Sequence, residues 1–130
     1  SPLAASLHLS DRTQERLAEL NQREHRWQAL VASDPAPSAL HTAFSQADRA
    51  TLLLASARHP RDLGPAIWRY LMQWAVTPAL IDGTRLKALG YRPGPQFRPM
   101  LEALFAAQLN GDITTSAEAE AWLAQRYPKP

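Results

Sequence analysis

The sequence contains no cysteine, few valines and isoleucines, and no long hydrophobic run. The absence of cysteine excludes disulfide bonds and zinc sites built on cysteine. No apolar segment reaches the roughly 20 residues of a membrane-spanning helix. The first residues, SPLAASLHLSD, lack the cationic start and apolar centre of a secretory signal. We therefore expect a cytoplasmic protein that has no membrane partner.

The length and charge of the chain restrict the class of protein further. Its 130 residues are enough for one domain with one real core. The net charge is only +2, yet 12 of the 14 basic residues are arginine. Arginine presents a planar fork of donors that suits phosphate and also stacks on bases. The composition therefore favours a nucleic-acid partner, although 12 carboxylates balance most of the positive charge.

Helical periodicity runs through nearly the whole sequence, whereas alternation with period two is missing. We predict one all-α domain over residues 1–130, a single compact bundle of about seven short-to-medium helices with no sheet. The predicted helices span residues 10–31, 38–44, 45–57, 62–76, 82–90, 95–109 and 115–126. Polar residues with N-cap chemistry open most of them: Ser10, Ser38, Ser45 with Asp48, Asp82, and Thr115 with Glu118.

The sequence shows no constellation that would support catalysis. No histidine stands at i, i+4 from another or from a carboxylate in a metal-binding pattern, and no D-x-D pair occurs. A Gly-rich phosphate loop is missing as well. The histidines are His8, His25, His41 and His59. We predict that this chain is not catalytic by itself and carries neither a metal nor a cofactor.

The segment LGYRPGPQFRP concentrates glycine and proline at one corner between two predicted helices. Gly90 stands where a residue of positive φ caps a helix, and Pro93 fixes its own φ and extends the residue before it. Gly94 lets the chain turn, and Pro95 suits the first position of a helix. Pro99 lies beyond the first turn of that helix, so we expect it to remove a helical hydrogen bond and bend the helix start.

This corner has two interpretations, which are compatible with each other. It fixes the angle between two helices, or it also binds an anion through the N-terminal amides of the second helix. Those amides belong to Gln96, Phe97 and Arg98. The cations near them in sequence are Arg85, Lys87, Arg92 and Arg98.

Residues 81–123 also resemble a known family. The matching pattern is a G-x-x-L-x-x-L-G helix, then P-G-P, then a helix ending in L-x-G-x-I-x-T before an acidic, Ala-rich helix. It falls on Gly83, Leu86, Leu89, Gly90, Pro93, Gly94, Pro95, Leu101, Leu109, Gly111, Ile113, Thr115 and Glu118. This stretch resembles the C-terminal body-and-tail region of bacterial class II tRNA nucleotidyltransferases and poly(A) polymerases. Residues 1–80 resemble the upstream part of that region more loosely.

The resemblance implies a non-catalytic RNA-binding domain that holds the phosphates of tRNA or another structured RNA. A separate catalytic head, whose motifs do not occur in this sequence, would add nucleotides to the 3′ end with a nucleoside triphosphate and Mg²⁺. The predicted RNA-binding residues are Arg85, Lys87, Arg92, Gly94, Gln96 and Arg98. The alternative is a helical module that docks the catalytic head, or forms a homodimer, without touching RNA.

Two further features remain open at this point. Arg12, Arg16, Arg23 and Arg26 follow one stripe of the first helix, which suits RNA or, as we expect, a solvated face with a Glu19–Arg23 ion pair. Trp68 and Met72 lie off the main apolar stripe of their helix. They suit base stacking or a protein partner, but we expect burial on a second face.

Overall fold

The computed structural model describes residues 11–129, and within that range the fold is all-helical without a strand. Seven helices follow one another: α1 (Asp11–Ala32), α2 (Pro37–Ser45), α3 (Arg49–Arg58), α4 (Gly64–Arg69) with a π-helical turn (Tyr70–Trp74) continuing from it, α5 (Gly83–Ala88), α6 (Phe97–Leu109) and α7 (Ser116–Arg126). The predicted all-α class is confirmed. The predicted cap Ser10 and the histidine His8 lie outside the described residues.

Side-chain caps determine where three of these helices begin. In each case the side chain of the cap accepts a hydrogen bond from the backbone amide three residues later. Asp48 accepts from Thr51, Asp82 accepts from Arg85, and Thr115 accepts from Glu118. The predicted caps of α5 and α7 are confirmed. The predicted start of α3 at Ser45 is wrong, because Asp48 is the residue that accepts the amide and the helix begins at Arg49.

The buried side chains form two clusters, and the chain passes from one to the other between Trp74 and Ile81. The first cluster consists of Trp27, Leu40, Phe44, Leu52, Ala55, Leu63, Ile67 and Trp74. The second consists of Ile81, Leu86, Met100, Leu104, Ala107, Ile113, Ala119 and Leu123. Helices α1 to α4 therefore surround one core, and α5 to α7 surround another.

Hydrogen bonds from α6 and the residue after it hold the two halves together. The side chain of Gln108 both donates to the carbonyl of Pro78 (2.9 Å) and accepts from the amide of Leu80 (3.0 Å). The side-chain oxygen of Asn110 accepts from the backbone amide of Ser38 (2.9 Å) at the start of α2. The linker and α2 are thus both fixed against the end of α6.

Helix α4 and its π-helical turn bury only one face. Ile67 and Trp74 belong to the first core, whereas Trp68, Met72 and Val76 are 49%, 72% and 70% exposed. The expectation that Trp68 and Met72 would be buried on a second face is therefore wrong. No helix within residues 11–129 combines the length and the apolar character that crossing a membrane requires.

Candidate nucleic-acid interface

The corner between α5 and α6 needs its two glycines for different reasons. Gly90 has φ +101°, a conformation that side chains with a Cβ rarely adopt, so the predicted helix-ending glycine is confirmed. Gly94 has no positive φ. A Cβ at Gly94 would instead come 2.7 Å from Oε1 of Gln96, whose side chain folds back over the corner. The side-chain nitrogen of Gln96 (Nε2) donates a hydrogen bond to the backbone carbonyl of Arg92 at 3.0 Å.

Helix α6 begins two residues later than the sequence predicts. Pro95 and Gln96 form a turn, which the amide of Phe97 closes on the carbonyl of Gly94 at 3.1 Å. One of the three amides predicted to face an anion is therefore already bonded. Pro99 is the third residue of α6, where backbone amides have no partner within the helix. The expectation that Pro99 removes a helical hydrogen bond is wrong for this reason.

The predicted RNA-binding residues do not all gather at the corner. Arg85 donates to Glu120 on α7 at 2.6 Å, and Arg98 donates to Glu102 one turn along α6 at 3.1 Å. These two guanidinium groups already have carboxylate partners. Lys87 is exposed on α5. Arg92 and Gln96 are the two predicted side chains that line the same cleft.

That cleft has a volume of about 680 Å³, and we call it the tail cleft. Its lining residues are Gly90, Tyr91, Arg92, Gln96, Met100, Arg126, Tyr127, Pro128 and Lys129. Three of them carry positive charge and none carries a carboxylate. Like charges brought together without a counter-charge create a positive potential that attracts anions. The tail cleft is therefore a concave, positively charged site with aromatic walls.

The segment after α7 forms one wall of the tail cleft by folding back over the corner. The hydroxyl of Tyr91 donates to the carbonyl of Tyr127 at 2.7 Å. Nζ of Lys129 lies 5.4 Å from the centroid of the Tyr91 ring, and its stem passes over Gly90, which has no side chain there. The left-handed Gly90 thus both ends α5 and makes room for the tail.

Sequence reasoning missed Arg126, Tyr127 and Lys129, which lie at the end of α7 and in the segment after it. Tyr91 and Tyr127 are 36 positions apart, and no local pattern links them. The run RYPK from Arg126 to Lys129 was the available signal, since it places one aromatic residue between two basic residues at the end of a helix. Such interleaving is typical of surfaces that bind single-stranded nucleic acid.

A second basic groove lies on α1. Arg16, Arg23 and Arg26 line it together with Glu19, and its volume is about 500 Å³. The expected Glu19–Arg23 ion pair does not form within the described range. The guanidinium carbon of Arg23 lies instead 5.2 Å from the centroid of the Trp27 ring.

One carboxylate, Glu24, is buried at the joint between α1 and α3. Its side chain is 2% exposed, and neither of its oxygens accepts a hydrogen bond. Oε1 lies 3.4 Å from Nη2 of Arg58 and 3.6 Å from Nε2 of His59. Gln28 places its amide nitrogen 3.2 Å from the other nitrogen of His59. This cluster joins α1 to the end of α3 by charge rather than by apolar packing.

Another polar cleft lies between α2 and α6, where His41 packs among aromatic rings. The ring centroids of Tyr70 and Phe105 lie 5.5 Å and 5.3 Å from that of His41. Burial lowers the pKa of His41 below its ordinary value, because the apolar surroundings disfavour the charged form. Arg98 and Glu102 line the same cleft, so it lacks the uniform charge of the tail cleft.

Compared with protein families, with curated proteins and with solved structures, the chain gives no match. Across the part of the chain that the structure describes, no group of three or more His, Asp or Glu side chains lies close enough together to hold a metal ion. The tail cleft is the site in which the described geometry concentrates charge of one sign.

Proposed function

We propose that this chain is a non-catalytic RNA-binding domain that holds backbone phosphates in the tail cleft. The observation that carries the proposal is the convergence of Arg92, Arg126 and Lys129 on one cleft without a lining carboxylate. Phosphate contacts of this kind supply sequence-independent affinity and fix the orientation of the nucleic acid. Arg92 comes from the corner, Arg126 from the end of α7 and Lys129 from the segment after α7, so the site depends on the fold.

The resemblance of residues 81–123 to tRNA nucleotidyltransferases and poly(A) polymerases supports tRNA as the RNA. In this proposal the domain positions the 3′ end for a separate catalytic head. That head, and not this chain, would bind the nucleoside triphosphate and Mg²⁺. The residues of this chain contribute binding and orientation and perform no chemistry.

A charge-reversal experiment tests the proposal. Arg92→Glu combined with Lys129→Glu should weaken binding of a fluorescently labelled tRNA at least tenfold at low salt, because two attractive contacts become repulsive. The matched control is Arg61→Glu, which reverses an exposed arginine that does not line the tail cleft. Unchanged affinity in the double variant, with its circular dichroism spectrum intact, would refute the proposal.

The exposed row of Trp68, Met72 and Val76 favours a second candidate function, that of a protein-interaction module. Large apolar side chains rarely stay open to solvent in a row unless a partner covers them. The occupant we propose is a second copy of the chain, although the catalytic head is the other partner that the resemblance suggests. Light scattering should then give a mass that rises with concentration and returns to that of a monomer in Trp68→Gln/Met72→Gln. A constant monomer mass would reject the homodimer.

A further inference from the structure

The walls of the tail cleft are more apolar than phosphate binding alone requires. Met100 is only 3% exposed yet lines the cleft, and Tyr91 and Tyr127 are half-buried beside it. Besides the three cations and the polar Gln96, the lining residues are aromatic, aliphatic or glycine. The cleft therefore combines apolar surface with positive charge.

A duplex does not use a site of this shape. Its phosphates lie on a convex surface and its bases are stacked inside, so exposed cations on a shallow surface suffice to bind it. A concave cleft of about 680 Å³ lies within the size range of pockets that enclose a small ligand. Unpaired nucleotides provide the matching chemistry, because they combine one flat apolar base with one phosphate.

We infer that the tail cleft takes one unpaired nucleotide, with its base against the tyrosines and Met100 and with its own phosphate and the adjacent backbone phosphates on the cations. This inference rests on the proposed function and names the part of the RNA that the site binds. Stacking of a base on an aromatic ring is worth about tenfold to hundredfold in affinity.

The contact between Lys129 and Tyr91 shows how the base gains access to a ring. The ammonium group lies 5.4 Å from the ring centroid on a chain segment at the protein surface. An exposed contact of this type is weak. When a base stacks on Tyr91, the flexible lysine side chain moves off the ring and meets the phosphate of the same nucleotide.

We expect the identity of the base to have little influence on binding in this arrangement. The amide nitrogen of Gln96 is bonded to the carbonyl of Arg92, and the hydroxyl of Tyr91 is bonded to the carbonyl of Tyr127. The Tyr91 hydroxyl and one N–H of the Gln96 side-chain amide are thus engaged with the backbone. We expect stacking to be the main base contact, with adenine and guanine favoured only by their larger rings.

Two binding experiments, the two arms of the test, distinguish the contribution of the base from that of the phosphate. The first compares a labelled RNA hairpin that carries a four-nucleotide single-stranded 3′ extension with the same hairpin whose extension is abasic. The second titrates the protein with AMP or with ribose 5-phosphate and follows the two methionine methyl signals by NMR. Met100 lines the cleft, and the exposed Met72 lies outside it and serves as the internal control.

The nucleobase extension should bind at least tenfold more tightly than the abasic one. AMP should shift the Met100 methyl signal, leave Met72 unchanged, and have a larger effect than ribose 5-phosphate. Equal affinity for both hairpins with no Met100 shift overturns the inference and leaves RNA binding intact. A Met100 shift with AMP but no affinity for either hairpin supports the inference and rejects the proposed function. No affinity for either hairpin together with no Met100 shift overturns both.

Discussion

The hydroxyl of Tyr91 donates a 2.7 Å hydrogen bond to the carbonyl oxygen of Tyr127, and this bond fastens the segment after α7 to the corner between α5 and α6. The corner supplies Arg92 to the tail cleft, the last residue of α7 supplies Arg126, and the segment after α7 supplies Lys129. The positive charge of the cleft therefore depends on a tertiary contact between two distant segments.

Removing this hydroxyl should destabilise the protein measurably. Tyr91→Phe leaves the carbonyl of Tyr127 without its donor, and the loss should be about 1 kcal/mol in the free energy of unfolding. Urea denaturation measures it. Tyr70→Phe is the matched control, since the Tyr70 hydroxyl has no hydrogen-bond partner in residues 11–129, and its stability should change by less than about 0.5 kcal/mol. Equal effects of the two substitutions would contradict the role given to the Tyr91 hydroxyl.

The two glycines of the corner should respond differently to alanine. Gly90→Ala forces a Cβ into a residue with φ +101°, which should cost about 2 kcal/mol. Gly94→Ala meets only the end of the flexible Gln96 side chain, which can move away. Its cost should stay below about 1 kcal/mol, the value of the Gln96–Arg92 hydrogen bond that it breaks. Thermal and urea denaturation of the two variants measure their free energies of unfolding. A larger loss of stability in Gly94→Ala than in Gly90→Ala would contradict this account.

The buried Glu24 should be replaceable by an apolar residue. For a buried carboxylate without hydrogen bonds, the free-energy cost of desolvation exceeds the Coulombic attraction to its charged partners. Glu24→Met should therefore leave the free energy of unfolding unchanged or raise it by about 1 kcal/mol. Arg58→Met leaves the carboxylate buried beside His59 alone and should lower stability by about 2 kcal/mol, a value reduced by the 40% exposure of Arg58. A loss of more than about 1 kcal/mol in Glu24→Met would contradict this account.

The burial of His41 should make stability depend on pH in the mildly acidic range. Its folded pKa lies below the ordinary 6.5, so the unfolded chain binds a proton first as the pH falls. The free energy of unfolding should therefore decrease as the pH falls below about 6.5, until the folded state also becomes protonated. His41→Phe keeps an aromatic ring against Phe105 and should remove this part of the slope. If the free energy of unfolding of the unmodified protein and that of His41→Phe changed in parallel between pH 5 and 7, the role given to His41 would be contradicted.

Local chemistry made most of the fold predictable from the sequence. Asp82 and Thr115 cap their helices as predicted, and Gly90 has the predicted positive φ, because each feature depends on a few neighbouring residues. The start of α6 was misplaced because Pro95 can occupy either a turn or a first helical position. Choosing between them required knowledge of the Gly94–Phe97 hydrogen bond.

The candidate site was less predictable, because tertiary packing decides which cations share a surface. Arg85 and Arg98 lie near Arg92 in sequence, yet each forms an ion pair with a carboxylate. Arg85 pairs with Glu120, and Arg98 pairs with Glu102. Lys129 is far from Arg92 in sequence and joins it only through the fold-back of the tail. The exposure of Trp68 likewise depends on how much of α4 its neighbours cover, which periodicity alone does not show.

The central claim, that the cations of the tail cleft hold RNA phosphates, is tested most directly by the salt dependence of RNA binding. The logarithm of the affinity should fall with the logarithm of the salt concentration with a slope of about −2 to −3, as for three phosphate contacts. Arg92→Gln, Arg126→Gln and Lys129→Gln should each reduce the steepness by about one, whereas Arg61→Gln should leave it unchanged. Slopes in the three cleft variants equal to that of the unmodified protein would contradict the claim.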